Sequence, residues 1–236
     1  QALADGNNLV VPAGVTLQID GGATFRMASA NLEVGSSSEL VSRAGASVQI
    51  LGTPSSNVAF TSLSNDPTTD PEAIQGPLRN VPKGGDWGGI VLRADSDWQP
   101  TGDLDATTLR PVLNNLAHTV ISYGGGEVVV NAETETFSAI QIEDTRPTIA
   151  FSTVTYSADA AISATPNSFE ESNGLAGPVF RGNKLLANST NGLFLAIETE
   201  FGSPLDKLDV SARFASTEVT YVIQENLVLS GGAGSY

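Results

Sequence analysis

Polar and apolar residues alternate along most of this chain. In "VTLQID", Val15, Leu17 and Ile19 fall on one side and Thr16, Gln18 and Asp20 on the other. "ATFRM" continues the pattern with Ala23, Phe25 and Met27 inward, and Leu32 with Val34, Val48 with Ile50, and Val58 with Phe60 follow it. Side chains of an extended chain point to opposite faces in turn, so each run predicts a half-buried strand. Gly, Ser, Asn or Pro closes each run after a few residues. Apolar spacing of helical period is almost absent. The expectation is an all-β chain.

The runs also resemble one another. "GVTLQI" at 14–19 matches "GASVQI" at 45–50, with Gly, Gln and Ile in register. "TVISY" at 119–123 loosely matches "TVTYS" at 153–157, and "NGLFLAI" at 191–197 echoes "SAIQI" at 138–142. Similar strand-turn-strand units recurring at roughly 20–35 residues mark a solenoid. Short strands and tight turns suit a right-handed, single-stranded parallel β-helix, whose coils stack at ~4.8 Å. The spacing predicts about seven to nine coils, in one domain spanning residues 1–236. A β-sandwich is the competing architecture. It needs longer strands and two-residue hairpins, and no Asn-Gly or Asp-Gly reads here as a hairpin turn.

Three stretches break the rhythm: residues 64–86, with four prolines, residues 94–115, and residues 165–178. They predict two or three long lateral loops, a length that tends to accompany function or mobility. The first two flank "GGIVLR", in which Ile90 and Leu92 point inward, and are expected to wall a groove.

Charge narrows the partners. The chain has 26 acids against 11 bases, a formal charge of −15. Phosphate and anionic lipid are repelled, so neither nucleic acid nor a membrane surface is expected as a partner. No cysteine is present, which excludes disulfides and thiolate chemistry. No apolar run approaches the ~20 residues that span a bilayer, and no signal peptide is recognisable. The chain starts and stops in mid-pattern, as a mature fragment or excised domain would.

Candidate chemistry is sparse. Trp87, in "GDWGGIVLR", either covers the seam where the long loop leaves the stack or offers a platform to a sugar, and Trp98 is the better-placed platform of the two. Asp95, Asp97, Asp103 and Asp105 fall within one loop, where alternate acids could ring a Ca2+. The competing reading is a solvated acidic loop; Ca2+ there would be structural, and no other cofactor is expected. Asp66, Asp70 and Glu72 form a weaker cluster. The single histidine, His118, packs or caps a strand end, since a lone His leaves little for a catalytic triad or a multi-His metal site. Arg146, beside Glu143 and Asp144, reads as a salt bridge at a coil corner. "SYGGGEV" at 122–128 lacks the following helix that phosphate binding needs. Asn183, Asn188 and Asn191 stand near turns and could stack as a ladder, and Tyr123, Tyr156 and Tyr221 could pack alike.

"VPAGVTLQIDGGATFRM", "VQILGTPSSNVAFTS" and "GDWGGIVLR" together resemble the right-handed parallel β-helix segments, pectin-lyase-like in fold, of giant repetitive surface and secreted proteins of planctomycete-type bacteria. The resemblance runs from about residue 9 to 229. It implies a cell-surface or extracellular scaffold or adhesion segment, with further domains of the same protein or other copies as partners and assembly into a fibre or array as an outcome. Pectin-degrading enzymes share that fold, but their Gly-His-Gly and Arg-Ile-Lys motifs are absent here, so no enzymatic activity is expected. A polysaccharide-binding or polysaccharide-cleaving module and a calcium-dependent adhesin are the alternatives.

Overall fold

Thr16–Asp20 and Ser47–Leu51, the runs that share Gly, Gln and Ile, lie side by side and parallel. Leu17 faces Val48, Gln18 faces Gln49 and Ile19 faces Ile50. The computed structural model describes residues 8–36, 41–65, 81–96, 114–130, 133–172, 175–197 and 207–229. Over these residues the protein is all-β, built mainly from parallel sheets.

Three parallel sheets hold most strands. One has seven, in the order Leu9–Val11, Leu32–Val34, Ile90–Leu92, Ile140–Ile142, Ala160–Ala164, Thr190–Leu195 and Tyr221–Val222. A first five-stranded sheet joins Thr16–Asp20, Ser47–Leu51, Asn115–Ala117, Thr148–Ala150 and Val179–Arg181. A second joins Thr24–Met27, Val58–Ser62, Thr119–Ser122, Thr153–Thr155 and Lys184–Leu186. The chain visits the first, the second and then the seven-stranded sheet, and repeats that order. Each five-stranded sheet takes one strand per round, so the described residues complete five circuits. This is fewer than the seven to nine expected, because residues 63–89 and 93–114 each fall between consecutive strands of the second and third circuits.

Each sheet presents an inner ladder. Ile19, Ile50, Leu116, Ile149 and Phe180 align in the first five-stranded sheet. Phe25, Phe60, Ile121, Val154 and Leu185 align in the second. Leu32, Ile90, Ile140, Ile162 and Leu193 align in the seven-stranded sheet. These side chains form one continuous core. Burying each stabilises the fold by roughly 1.5–3 kcal/mol. The "TVISY" and "TVTYS" match is slipped by one position: Thr153 pairs with Val120, not with Thr119. The slip is forced by the core, which puts Val154 level with Ile121.

In the last three circuits a residue in the left-handed region turns the corner between the two five-stranded sheets. His118, Phe151 and Gly182 stand at equivalent positions with φ of 47°, 53° and 61°. The asparagines that follow do not stack on one another as the ladder expectation had it. Asn183 instead accepts from Ser152 N–H at 2.9 Å and donates to the Ile149 carbonyl at 2.7 Å. Asn188 does the same one corner on, accepting from Ser157 N–H at 2.9 Å and donating to the Val154 carbonyl at 3.0 Å. A corner amide thus stitches one circuit to the backbone of the previous one. Buried backbone groups require partners, and these turns supply them through side chains.

Two departures from the parallel scheme were not foreseen. Glu127–Val130 and Glu133–Thr136 form an antiparallel hairpin. It lies over the outer face of the seven-stranded sheet, where Val128, Phe137 and Val130 cover Val91. Residues 165–178, expected as a loop, contain a 3-10 turn at Pro166–Phe169 and a short antiparallel pair, Glu171–Ser172 with Leu175–Ala176. Buried Phe169 anchors that turn by stacking on Phe214 at 4.2 Å. Most of the other two long segments, residues 66–80 and 97–113, lies outside the described residues.

Candidate functional site

The glycines around Trp87 let circuits approach. A Cβ on Gly89 would lie 2.1 Å from the Ser138 carbonyl oxygen. Trp87 itself is fully buried, its ring 6.4 Å from that of Phe60 and its indole N–H donating to the Ser122 carbonyl at 2.9 Å. With no exposed face it cannot carry a sugar, which corrects the platform expectation and leaves the seam-covering role. Trp98 lies outside the described residues.

The expected calcium loop is represented by Asp95 alone; Asp97, Asp103 and Asp105 lie outside the described residues, as do Asp66, Asp70 and Glu72. The Asp95 carboxylate accepts the Ser36 N–H on one oxygen and the Arg43 N–H, at 2.5 Å, on the other. It therefore ties the segment after Val34 to the 3-10 turn Ala94–Ser96. No group of three acidic or imidazole side chains gathers as a metal site among the described residues.

Arg146 lies 3.8 Å from Glu170, a corner salt bridge. Its neighbour Glu143 pairs with Arg93 at 2.5 Å and accepts from Gln141 at 2.7 Å. Glu33 takes Arg43 at 3.4 Å and Asn8 at 2.9 Å. Glu33 and Gln141 stand in register with Val91, on the face that the hairpin covers. Burial raises the Glu135 carboxyl above its ordinary range, opposed by the charge of Arg93 and assisted by Glu143, Glu33 and Glu133. Both Glu33 and Glu143 are held by arginines, an arrangement that fastens strands rather than one that leaves two free carboxylates facing across a bond.

The tyrosines and the histidine make two stacked pairs. His118 lies over Phe151, with ring centres 5.1 Å apart, and Tyr123 over Tyr156, at 5.3 Å. Tyr221 stands apart, edge-on to Phe169 and Phe214. Each tyrosine of the pair precedes a small-residue turn. Tyr123 leads into Gly124, Gly125, Gly126 and Glu127; Tyr156 leads into Ser157, Ala158 and Asp159. Those turns enclose an open pocket of about 500 Å3. Gly85, Gly125, Gly126 and Ala158 form its floor, and Glu127, Thr136 and Asp159 its walls. Glu127 and Thr136 are paired across the hairpin, so the hairpin supplies one wall. Asp159 accepts a hydrogen bond from Ser138 at 3.0 Å, which orients its carboxylate.

Sequence reasoning missed this pocket. "SYGGGEV" was weighed against phosphate binding alone, and the signal lay in its repetition one circuit later as "TYSADA". Comparison of the chain with protein-family models, with curated proteins and with solved structures finds no match in any of the three.

Proposed function

We propose that the chain is a right-handed parallel β-helix and serves as a rigid structural segment of an extracellular bacterial surface protein, of the kind its "GDWGGIVLR" and "VTLQID" runs resemble. The observation that carries this reading is the stacking itself. Inner ladders that are apolar at every level run through the circuits. The ionised groups described above act as ties: Arg93 with Glu143, Arg43 with Glu33 and Arg146 with Glu170. A stack whose units contact only their neighbours grows in one dimension and resists bending, which suits a scaffold.

Partners follow from the edges. Among the described residues, Thr16–Asp20 and Thr24–Met27 have a strand neighbour on one side. The other side of such a strand is a template for further pairing. Further domains of the same protein, or other copies of it, are the partners that fit. Electron microscopy with analytical ultracentrifugation over a concentration series, with and without EDTA, tests the reading. Rods that lengthen with concentration and ignore EDTA are expected. Discrete particles at every concentration overturn end-to-end assembly, and rods that dissolve in EDTA shift the reading to a calcium-dependent adhesin.

A further inference from the structure

Charge is divided unevenly between the sides of this molecule. The ten strands of the two five-stranded sheets carry one acid, Asp20, and three bases, Arg26, Arg181 and Lys184. The corners at His118, Phe151 and Gly182 add no carboxylate. Acids gather instead around the seven-stranded sheet. Glu33 lies in it, Glu127, Glu133 and Glu135 lie in the hairpin over it, and Glu143 and Asp159 adjoin its strands. The arginines on that side are tied, Arg43 to Glu33 and Arg93 to Glu143. A chain of net charge −15 thus has two flanks almost free of carboxylates and a third that gathers them.

The contrast is sharpest at Val179–Arg181 and Lys184–Leu186. Phe180 and Leu185 fill the core ladders, so Val179, Arg181, Lys184 and Leu186 point outward. Val179 and Leu186 are 39% and 56% exposed. Arg181 and Lys184 are exposed too, and among the described residues neither has an ion-pair partner, whereas Arg43, Arg93, Arg146 and Arg213 each have one. Phe151 reaches the same corner from the preceding circuit. A Cβ on Gly182 would lie 2.6 Å from its ring, so the ring lies across Gly182, the residue after Arg181 and two before Lys184. His118 stacks on that ring at 5.1 Å, and Phe151 remains 53% exposed. An exposed ring, two aliphatic side chains and two unpaired bases form one ridge. Single exposed apolar residues are ordinary, but a group of them with aromatic and Arg anchors is the make-up of an interface. A partner must bring carboxylates and an apolar contact. The hairpin of this same chain offers both. Val128 and Val130 face Val91, so Glu127 and Val129 face away from the core, and Val129 is 51% exposed.

We propose that this ridge docks on the hairpin of a second copy of the chain, Arg181 and Lys184 meeting its carboxylates and Phe151 meeting its Val129. The contact joins two different patches, so it does not close on itself and packs copies side by side. It rests on the reading of the chain as a structural building block, but it uses flank side chains rather than the strand edges of end-to-end growth. The test is sedimentation velocity of the whole chain from about 1 to about 200 μM. Association is expected at about 20 mM salt and should fade at about 0.5 M. Arg181→Glu with Lys184→Glu should weaken it by about tenfold or more, and Arg181→Lys with Lys184→Arg should retain it. Phe151→Asn, which suits the left-handed corner, should also weaken it. Should the reversed variant fold poorly, carbodiimide coupling of the unaltered protein gives a second measurement. In a mixture of isotope-labelled and unlabelled chains it should join Lys184 of one copy to a hairpin carboxylate of another. A monomer at every concentration in low salt would overturn the proposal and leave the ridge to an acidic partner of another kind. So would association that charge reversal leaves intact, or Lys184 coupled only within its own chain. Rods that never lie side by side would sink the lateral contact alone, and lateral pairs that never lengthen would sink end-to-end growth alone.

Discussion

At the residue scale, the corners hold the circuits together. Asn188 is 8% exposed and pairs with two backbone groups of the preceding circuit, Ser157 N–H and Val154 O, while its own N–H and side-chain amide donate to Asn191. Removing the amide leaves two poorly solvated backbone groups unpaired, at about 1–3 kcal/mol each. Asn188→Ala should therefore lower stability by about 2–6 kcal/mol in urea titration. Asn191→Ala, which leaves one backbone group, the Asn188 N–H, without its acceptor and frees the Asn188 amide, should cost less, about 1–3 kcal/mol. Equal losses would show that the stitch to the previous circuit carries no special weight. The corner asparagines were visible in the sequence as turn residues, but their partners were not, since those partners are backbone atoms 31 and 34 positions away along the chain.

At the element scale, the hairpin Glu127–Val130 with Glu133–Thr136 converts an outer sheet face into a second small core around Val91. The sequence does not announce it: "EVVV" does not alternate, and the run lacks the Asn-Gly or Asp-Gly turn that marks the tightest hairpins. Val91 therefore looked like an outward residue and is buried. The hairpin also places Glu135 where burial raises its carboxyl pKa. A pKa higher in the folded than in the unfolded chain means folding disfavours the ionised form. The penalty is absent below the ordinary glutamate range and grows as pH rises through the raised value. Glu135→Gln should thus raise the melting temperature at about pH 7 and leave it unchanged at about pH 4. A lower melting temperature at neutral pH would mean that attraction to Arg93 outweighs burial.

On the scale of the whole molecule, 26 acids against 11 bases load the fold with self-repulsion. Screening falls to about 3 Å at 1 M salt, so repulsion between surface carboxylates is removed before the short ion pairs are. Thermal unfolding should shift upward from about 10 mM to about 0.5 M sodium chloride. A downward shift would show that the ion pairs Arg93–Glu143, Arg43–Glu33 and Arg213–Glu171 outweigh the net charge. Near the last circuits, residues 207–229 pack on the core: Arg213 N–H reaches Phe169 O, and Ala212, Val219, Tyr221 and Leu227 are partly buried against it.

What this sequence determined by itself was the strand content and most of the inward set. Alternation marks each strand's faces locally, so Leu32, Val34, Val48, Ile50, Val58, Phe60, Ile90 and Leu92 were assigned inward and are buried, whereas Val15, grouped with Leu17 and Ile19 by the same pattern, is 43% exposed. The pairing of "GVTLQI" with "GASVQI" was equally legible, because stacked units repeat the same residues at the same level. Tertiary structure decided the number of circuits, the one-residue slip at Thr153, the burial of Trp87 and Val91, and the pocket. Each depends on contacts between residues distant along the chain, which spacing within one unit does not encode. The pocket shows this most directly. Its floor comes from Gly85, Gly125, Gly126 and Ala158, three different circuits brought level by the apolar ladders rather than by any motif of their own.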